Sequence, residues 1–199
     1  MKKMDIGKLK SWLQEIPQEG FAVLLPLVEI NGQWSVLFEV RSANVSQAGE
    51  VCFPGGKIEA DETAEEAAIR ETSEELLVRP EQIRLLGTLP DRLHAQWSVY
   101  AFVAVLEKYS FSFSEAETER VFAVPLEELL NEQPLVSETD RPYRFREDFP
   151  FELLPQGKDY PFRVRKEPIY FYRRKEALIW GMTARILHTF LEIIRSRHE

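Results

Sequence analysis

An α/β fold is what the sequence predicts, and three observations predict it. Two apolar, β-rich runs, Phe21 to Ile30 and Gln33 to Arg41, meet at Asn31-Gly32, the pair favoured in a two-residue hairpin turn because both positions need positive φ. A strand, turn and helix unit follows, with Phe53-Pro54-Gly55-Gly56 as the turn and Thr63 with Glu66 as a capping box opening a helix to about Leu77. At the far end, Ile179, Met182, Ile186, Phe190 and Ile194 line one face of a terminal helix, placed over residues 176–197.

The remaining elements fall between these anchors. Ile6, Leu9, Trp12, Leu13 and Ile16 stand at helical spacing before Pro17, so residues 1–20 are expected to form a helical extension. Pro26 lacks a ladder donor and is expected at a sheet edge or bulge. Residues 83–89, 98–106 and 121–124 read as strands, Pro125 to Leu130 as a short helix and Ile169 to Arg173 as a further strand, while residues 133–167 show no firm pattern. At 199 residues the chain is expected to be a single domain, residues 1–199.

Composition excludes several classes of function. With 44% hydrophobic and 29% charged residues the chain can build a core and does not resemble a disordered segment. One cysteine, Cys52, excludes an intramolecular disulfide, and no Cys/His group has zinc spacing, so a reducing, cytoplasmic location is expected. No signal-peptide apolar region is expected at the start, and the most apolar later stretch, Ala177 to Ile194, carries Arg185, His188 and Glu192, which argues against a membrane span. A net charge of −8 argues against a nucleic-acid partner, so an anionic small molecule would need a local cation. A homodimer is left open.

The chemistry concentrates on the first long helix. At 100° per residue, Glu71, Glu74 and Glu75 share about a quarter-turn of surface. Between Glu59 and Leu77 the only basic residue is Arg70, set against Glu59, Asp61, Glu62, Glu65, Glu66, Glu71, Glu74 and Glu75. Like charges at i and i+4 are destabilising, and an all-oxygen anionic set without nitrogen or sulfur suits Mg²⁺ or Mn²⁺, ions that also bind diphosphates. On charge pattern alone, a solvated acidic face is the competing reading. The glycine turn immediately before the helix weighs against it, since Gly55 and Gly56 permit close backbone approach where substrate oxygens could meet N–H groups.

Gly56, five residues, Glu62, seven residues and then Arg70-Glu71-Thr72-Ser73-Glu74-Glu75 resemble the Nudix box of the Nudix hydrolases across twenty residues, with every charged position present. Leu77 stands where the box normally has glycine, and Thr72 where an aliphatic residue is usual. The resemblance implies a Nudix-type α/β/α sandwich around a mixed β-sheet. It implies that Glu71, Glu74 and Glu75 hold Mg²⁺ or Mn²⁺, that Arg70 orients the carboxylates, and that Glu62 supports the loop. Glu74 and Glu75 are the candidates for taking a proton from water. A downstream acid often joins such sites, and of Glu115, Glu117 and Glu119 the expectation falls on Glu117.

Arg41-Ser42 and Gly49 to Gly56 resemble the second signature of the coenzyme A diphosphatase subfamily, although the loop is one residue short and has Val45 and Ser46 where a basic residue is expected. Ile179 to Leu187 is similar to that subfamily's terminal helix. The resemblance implies hydrolysis of coenzyme A or its derivatives to 3′,5′-ADP and 4′-phosphopantetheine, with Arg41, Gly55 and Gly56 at the substrate. ADP-ribose or another nucleoside diphosphate derivative is the alternative substrate, and a nucleotide sensor that does not hydrolyse is the alternative class. The basic and aromatic residues from Arg141 to Lys175 either hold phosphate and adenine or cover the core from a sheet. His94 is expected to be a surface or packing residue, and Cys52 a small buried hydrophobe rather than a nucleophile.

Overall fold

The structure, a computed structural model, describes residues 19–90 and 98–198. The expected helix at 5–16 and His94 lie outside the described residues. Ten strands and three α-helices are formed among the described residues: β1 (Phe21–Ile30), β2 (Gln33–Arg41), β3 (Val51–Cys52), β4 (Gly55–Lys57), α1 (Ala64–Glu75), β5 (Ile83–Thr88), β6 (Val99–Leu106), β7 (Thr118–Pro125), α2 (Leu126–Asn131), β8 (Leu135–Arg141), β9 (Arg165–Arg173), β10 (Leu178–Ile179) and α3 (Gly181–His198).

The first seven strands form one mixed sheet. β1 pairs parallel with β6 and antiparallel with β2, while β5 closes on β6 and β7 on β2. The hairpin turn is made by Asn31 at φ 51° and Gly32 at φ 80°, the double positive φ that the dipeptide predicts. From that turn β1 and β2 stay paired only from Ile30↔Gln33 to Leu27↔Val36 and then part. Into the opening go β3, paired to β2 at Glu39↔Cys52, and β4, paired to β1 at Val23↔Gly55. The glycine turn is thereby held between the two diverging strands, at the middle of the sheet.

This split corrects the expectation for Pro26. It lies in a central strand, in the ladder with β6 at Pro26↔Ala104. Leu24, of the same parity, sends its N–H away from β6 to Pro54 O at 2.9 Å. The missing donor of Pro26 therefore falls on the side where β1 has already left β4 and not yet met β2, and no ladder bond is lost.

Strand alternation sends side chains into two cores. Leu25, Leu27, Val36, Phe38 and Val40 meet Ile186, Leu187, Phe190 and Leu191 of α3. Ala22, Leu24, Val28 and Leu37 meet Ala64, Ala67 and Ala68, whose small side chains bring α1 close to the sheet. The result is an α/β/α sandwich around a mixed sheet. A three-stranded antiparallel sheet, β10-β9-β8, adds Tyr172 and Ile179 to the α3 side of the core.

Several boundaries differ from expectation, with β7 starting at Thr118 and β9 at Arg165. The terminal helix begins at Gly181 instead of 176, because Leu178 and Ile179 pair with β9 as β10. Met182, in its first turn, is 38% exposed and stays off the buried face. Within the stretch that shows no firm pattern, β8 forms by pairing with an extended β9, a long-range ladder that local periodicity does not announce. Helix α1 ends at Glu75, and Leu77 adopts φ 51°, the left-handed turn usually given to glycine.

Candidate functional site

Helix α1 starts on its capping box: Thr63 Oγ1 accepts from Glu66 N at 3.2 Å and Glu66 Oε2 from Thr63 N at 2.8 Å. That start fixes the helical phase, and the phase sets where the acids fall one and two turns later. Ala64, Ala67 and Ala68 point to the sheet, so Glu71 and Glu75 follow at the rim and base of the same side. Glu75 is 5% exposed, whereas the Glu74 side chain is 61% exposed.

Arg70 ties the helix to the loop before it. Its Nη2 and Nε donate to the two oxygens of Glu62 at 2.7 and 3.1 Å, a bidentate pair, and Nη1 donates to Glu71 Oε1 at 2.9 Å. Nη1 also reaches Glu74 Oε2 at 3.5 Å, and Nη2 reaches Lys57 O at 3.3 Å. Glu62 Oε1 accepts from Glu59 N at 2.7 Å, so the loop from Lys57 to Glu62 is pinned to the helix. The Arg70 hydrogen bonds hold the Glu62 carboxyl below the usual carboxylate range.

The glycine turn meets the helix acids directly. Gly55 N donates to Glu75 Oε2 at 2.8 Å. A Cβ on Gly56 would stand 2.3 Å from Glu71 Oε1, so the carboxylate occupies the space a side chain would need. Gly55, at φ 151°, would place a Cβ 2.3 Å from Ala22 O.

Burial pushes the Glu75 carboxyl up to about 7, aided by the charges of Glu71 and Glu117 and opposed by the Gly55 N–H and by Arg41. Glu71 is raised by burial and by Glu74 and Glu117, against the Arg70 hydrogen bond. Glu117, in the turn before β7, thus faces the helix acids, and its carbonyl accepts from Ser42 N at 2.8 Å. Arg41, at the end of β2, donates through Nε to Ser46 O at 2.7 Å and faces Glu75 and Cys52 electrostatically. Burial pushes the Cys52 thiol up to about 12, which leaves it a thiol at neutral pH.

The structure also places in the site a residue that sequence reasoning misses. Glu39 is 2% exposed in the middle of β2, with Thr118 Oγ1 donating to its Oε2 at 3.2 Å and no hydrogen bond to Oε1. Burial and the Glu75 charge hold its carboxyl well above the usual range. A lone acid in the apolar run Val36 to Val40 is the signal that could have found it.

In the basic and aromatic segment the contacts are packing and ion pairs. Tyr172 is fully buried in the core, and Phe145, Phe149, Phe151 and Phe162 pack on one another with centroids such as 4.5 Å for Phe145–Phe162. Arg174 is taken up by Glu132 at 2.8 Å and by Glu128.

As the side chains stand, no three acids, histidines or cysteines among the described residues converge closely enough to ligate one ion. Glu71 is turned to Arg70 and Glu75 to Gly55. The donor set nonetheless fits a hard divalent cation: four carboxylates act on one another, three of them raised by burial and then by mutual charge, and one buried oxygen, Glu39 Oε1, lacks any donor.

A glycine turn wedged between parting strands thus meets Glu71 and Glu75 of a capped helix in an α/β/α sandwich. The chain belongs to the Nudix family, since the NUDIX domain profile matches residues 19–145. It is a Nudix hydrolase, an enzyme acting on nucleoside diphosphate derivatives, and such enzymes generally need divalent ions such as Mg²⁺ or Mn²⁺.

It is similar to Nudix hydrolase 3 of Caenorhabditis elegans, 31% identical over 87% of this chain and 72% of that protein. It is 30% identical to an uncharacterized Nudix hydrolase, NudL, of Photorhabdus laumondii over 87% and 84% of the two chains. It is 32% identical to the peroxisomal coenzyme A diphosphatase NUDT7 of Mus musculus over 67% of this chain, spanning 57% of the mouse protein's length. Among solved structures, the Nudix hydrolase RenU of M. smegmatis shares the fold, with a TM-score of 0.50 and 21% identity over 58% of this chain and 75% of that one. Among the described residues no helix is long and apolar enough to cross a membrane.

Proposed function

We propose that the chain is a single Nudix domain that hydrolyses the diphosphate of coenzyme A or its derivatives, giving 3′,5′-ADP and 4′-phosphopantetheine or its acyl form. The observation that carries the reading is the contact of the upstream segment with the box: residues 49–56 run between β1 and β2 and end with Gly55 N on Glu75 Oε2 at 2.8 Å. This contact supports reading the segment that resembles the coenzyme A signature and the carboxylate helix as one site. Similarity to the mouse coenzyme A diphosphatase supports the same substrate.

In this reading Glu71, Glu74, Glu75 and Glu117 hold Mg²⁺ or Mn²⁺, and Arg70 with Glu62 keeps Glu71 and the loop in place. The bound ion supplies neutralisation of the diphosphate oxygens and activation of water. Gly55 and Gly56 let the backbone approach the diphosphate, and Arg41 meets its outer charge. Glu74, the exposed and least engaged box acid, and Glu75, whose carboxyl stands at about 7, are the candidates to accept the proton of water.

A second substrate, ADP-ribose or a related nucleoside diphosphate derivative, is left open by the shortened loop, in which Arg41 donates to Ser46 O. Chromatography and mass spectrometry of products decide between them, with Mg²⁺ or Mn²⁺ and coenzyme A, ADP-ribose and a dinucleoside polyphosphate in parallel. Metal-dependent 3′,5′-ADP from coenzyme A is expected to dominate. Preferential cleavage of ADP-ribose would replace the substrate, and binding without turnover would replace the enzyme with a sensor. Glu75→Gln, which keeps size and removes charge, is expected to fold and to lose turnover by about a hundredfold or more.

A further inference from the structure

Glu39 is buried more deeply than Glu75, at 2% against 5% exposure, yet one of its oxygens has no partner. An unpaired ionised carboxylate removed from water costs several kcal/mol, and an apolar residue of similar size would fill the place at lower cost. Its neighbours in β2, Val36, Leu37, Phe38 and Val40, do so. A carboxylate retained there calls for a positive partner that the chain's own hydrogen bonds do not supply.

The direction of the side chain follows from the strand. Val36, Phe38 and Val40 face the α3 side of the sheet and Leu37 faces α1, so Glu39 faces α1 as well. It lies two residues past Leu37 towards Arg41, beside β3 at Glu39↔Cys52, where the glycine turn enters. The charges acting on it are those of Glu75 from the helix, Glu117 from the turn before β7 and Arg41 from its own strand. Thr118 Oγ1 restrains Oε2 at 3.2 Å and leaves Oε1 as the open ligand atom.

We propose that Glu39 is an additional ligand of the divalent-ion centre, supplied by the sheet and facing the helix carboxylates, with Thr118 setting its orientation. The inference rests on the assignment of the box glutamates as ion ligands. The centre would then draw ligands from three elements: Glu75 from α1, Glu117 from the turn before β7 and Glu39 from β2. The competing role is a protonated acid that merely fills space and accepts from Thr118. Glutamine would reproduce that role almost unchanged, because its amide has the size and hydrogen-bonding capacity of the neutral acid.

Mn²⁺ binding to the full chain, read by electron paramagnetic resonance and titration calorimetry without substrate, tests this in wild type, Glu39→Gln and Glu75→Gln. Glu39→Gln is expected to weaken Mn²⁺ affinity about 10- to 100-fold or to remove one ion from the stoichiometry. The rise in melting temperature on adding Mn²⁺ should shrink in parallel. Wild-type affinity and stoichiometry in Glu39→Gln, with loss in Glu75→Gln, would overturn the role of Glu39 alone. Wild-type binding in both variants would instead overturn the box assignment. Should Glu39→Gln fail to fold, Glu39→Asp decides: it keeps the charge but withdraws it by one methylene, so weaker Mn²⁺ binding is expected and unchanged binding refutes the proposal.

Discussion

Gly55 and Glu75, twenty residues apart, are joined by a backbone N–H donating to a carboxylate oxygen at 2.8 Å, and this bond couples the glycine turn at the start of β4 to the last residue of α1. The two adjacent glycines on this turn have different reasons to be glycine. At Gly55 a Cβ meets backbone first, Ala22 O at 2.3 Å and Val23 Cα at 2.6 Å, whereas at Gly56 its three nearest atoms all belong to the end of the Glu71 side chain.

Gly55→Ala and Gly56→Ala should therefore separate stability from activity. Gly55→Ala is expected to destabilise by roughly 2–4 kcal/mol, since backbone must move and φ is 151°. Gly56→Ala is expected to cost about 1 kcal/mol or less, while displacing the Glu71 carboxylate and lowering turnover at least about tenfold. Urea denaturation together with steady-state kinetics checks both; equal stability losses would contradict the distinction.

Arg70 makes a forked contact that lysine cannot reproduce. Arg70→Lys is expected to leave the fold intact and to weaken Mn²⁺ affinity and turnover about 10- to 100-fold, because Glu71 and the loop from Lys57 to Glu62 lose their common anchor. Calorimetric Mn²⁺ titration reads the first effect and product release the second; full retention of both would show that the Glu62 pair is dispensable.

The metal-free protein should lose stability as pH rises. Glu75 stands at about 7 in the folded chain against an ordinary 4.5, so the folded state binds the proton more tightly than the unfolded one. Its stabilising effect is complete below the unfolded value and disappears through the folded value, on the order of 3 kcal/mol over that window. Glu39 and Glu71, also raised, act in the same sense. Melting temperature in a chelator is expected to fall between about pH 5 and about pH 8, and Mg²⁺ or Mn²⁺ to reverse the fall at the upper end. A flat profile would contradict the burial and mutual charging of these acids.

Leu77 holds φ 51° with its side chain 59% exposed, so its left-handed conformation is strain without compensating burial. Leu77→Gly is expected to stabilise by about 1 kcal/mol and to raise the melting temperature by roughly 2–4 °C. Calorimetry checks it, and turnover should not change, since the residue lies beyond the last box acid.

Much of the site is legible in the sequence because it is local. The capping pair Thr63 and Glu66 sets the helical phase, that phase brings Arg70, Glu71, Glu74 and Glu75 to one end of one surface, and two glycines mark where backbone must approach it. The hairpin is legible for the same reason, since Asn31-Gly32 carries its own turn geometry. What depends on partners distant in the chain is not. β8 exists through its ladder with β9, Leu178 and Ile179 are strand because β9 is beside them, and Pro26 is tolerated in a central strand only because β1 and β2 part there.

The same division runs through the carboxylates. The twenty residues from Gly56 to Glu75 determine by themselves which acids lie on the helix and which arginine serves them, because helical spacing is a property of neighbouring residues. Tertiary structure alone decided that Glu74 is exposed while Glu75 is buried, that Glu117 faces the helix acids, and that Glu39 joins them from β2. Those outcomes depend on how closely three alanines let α1 approach the sheet and on which face of β2 the strand alternation presents, and both are set by packing between segments far apart in the chain.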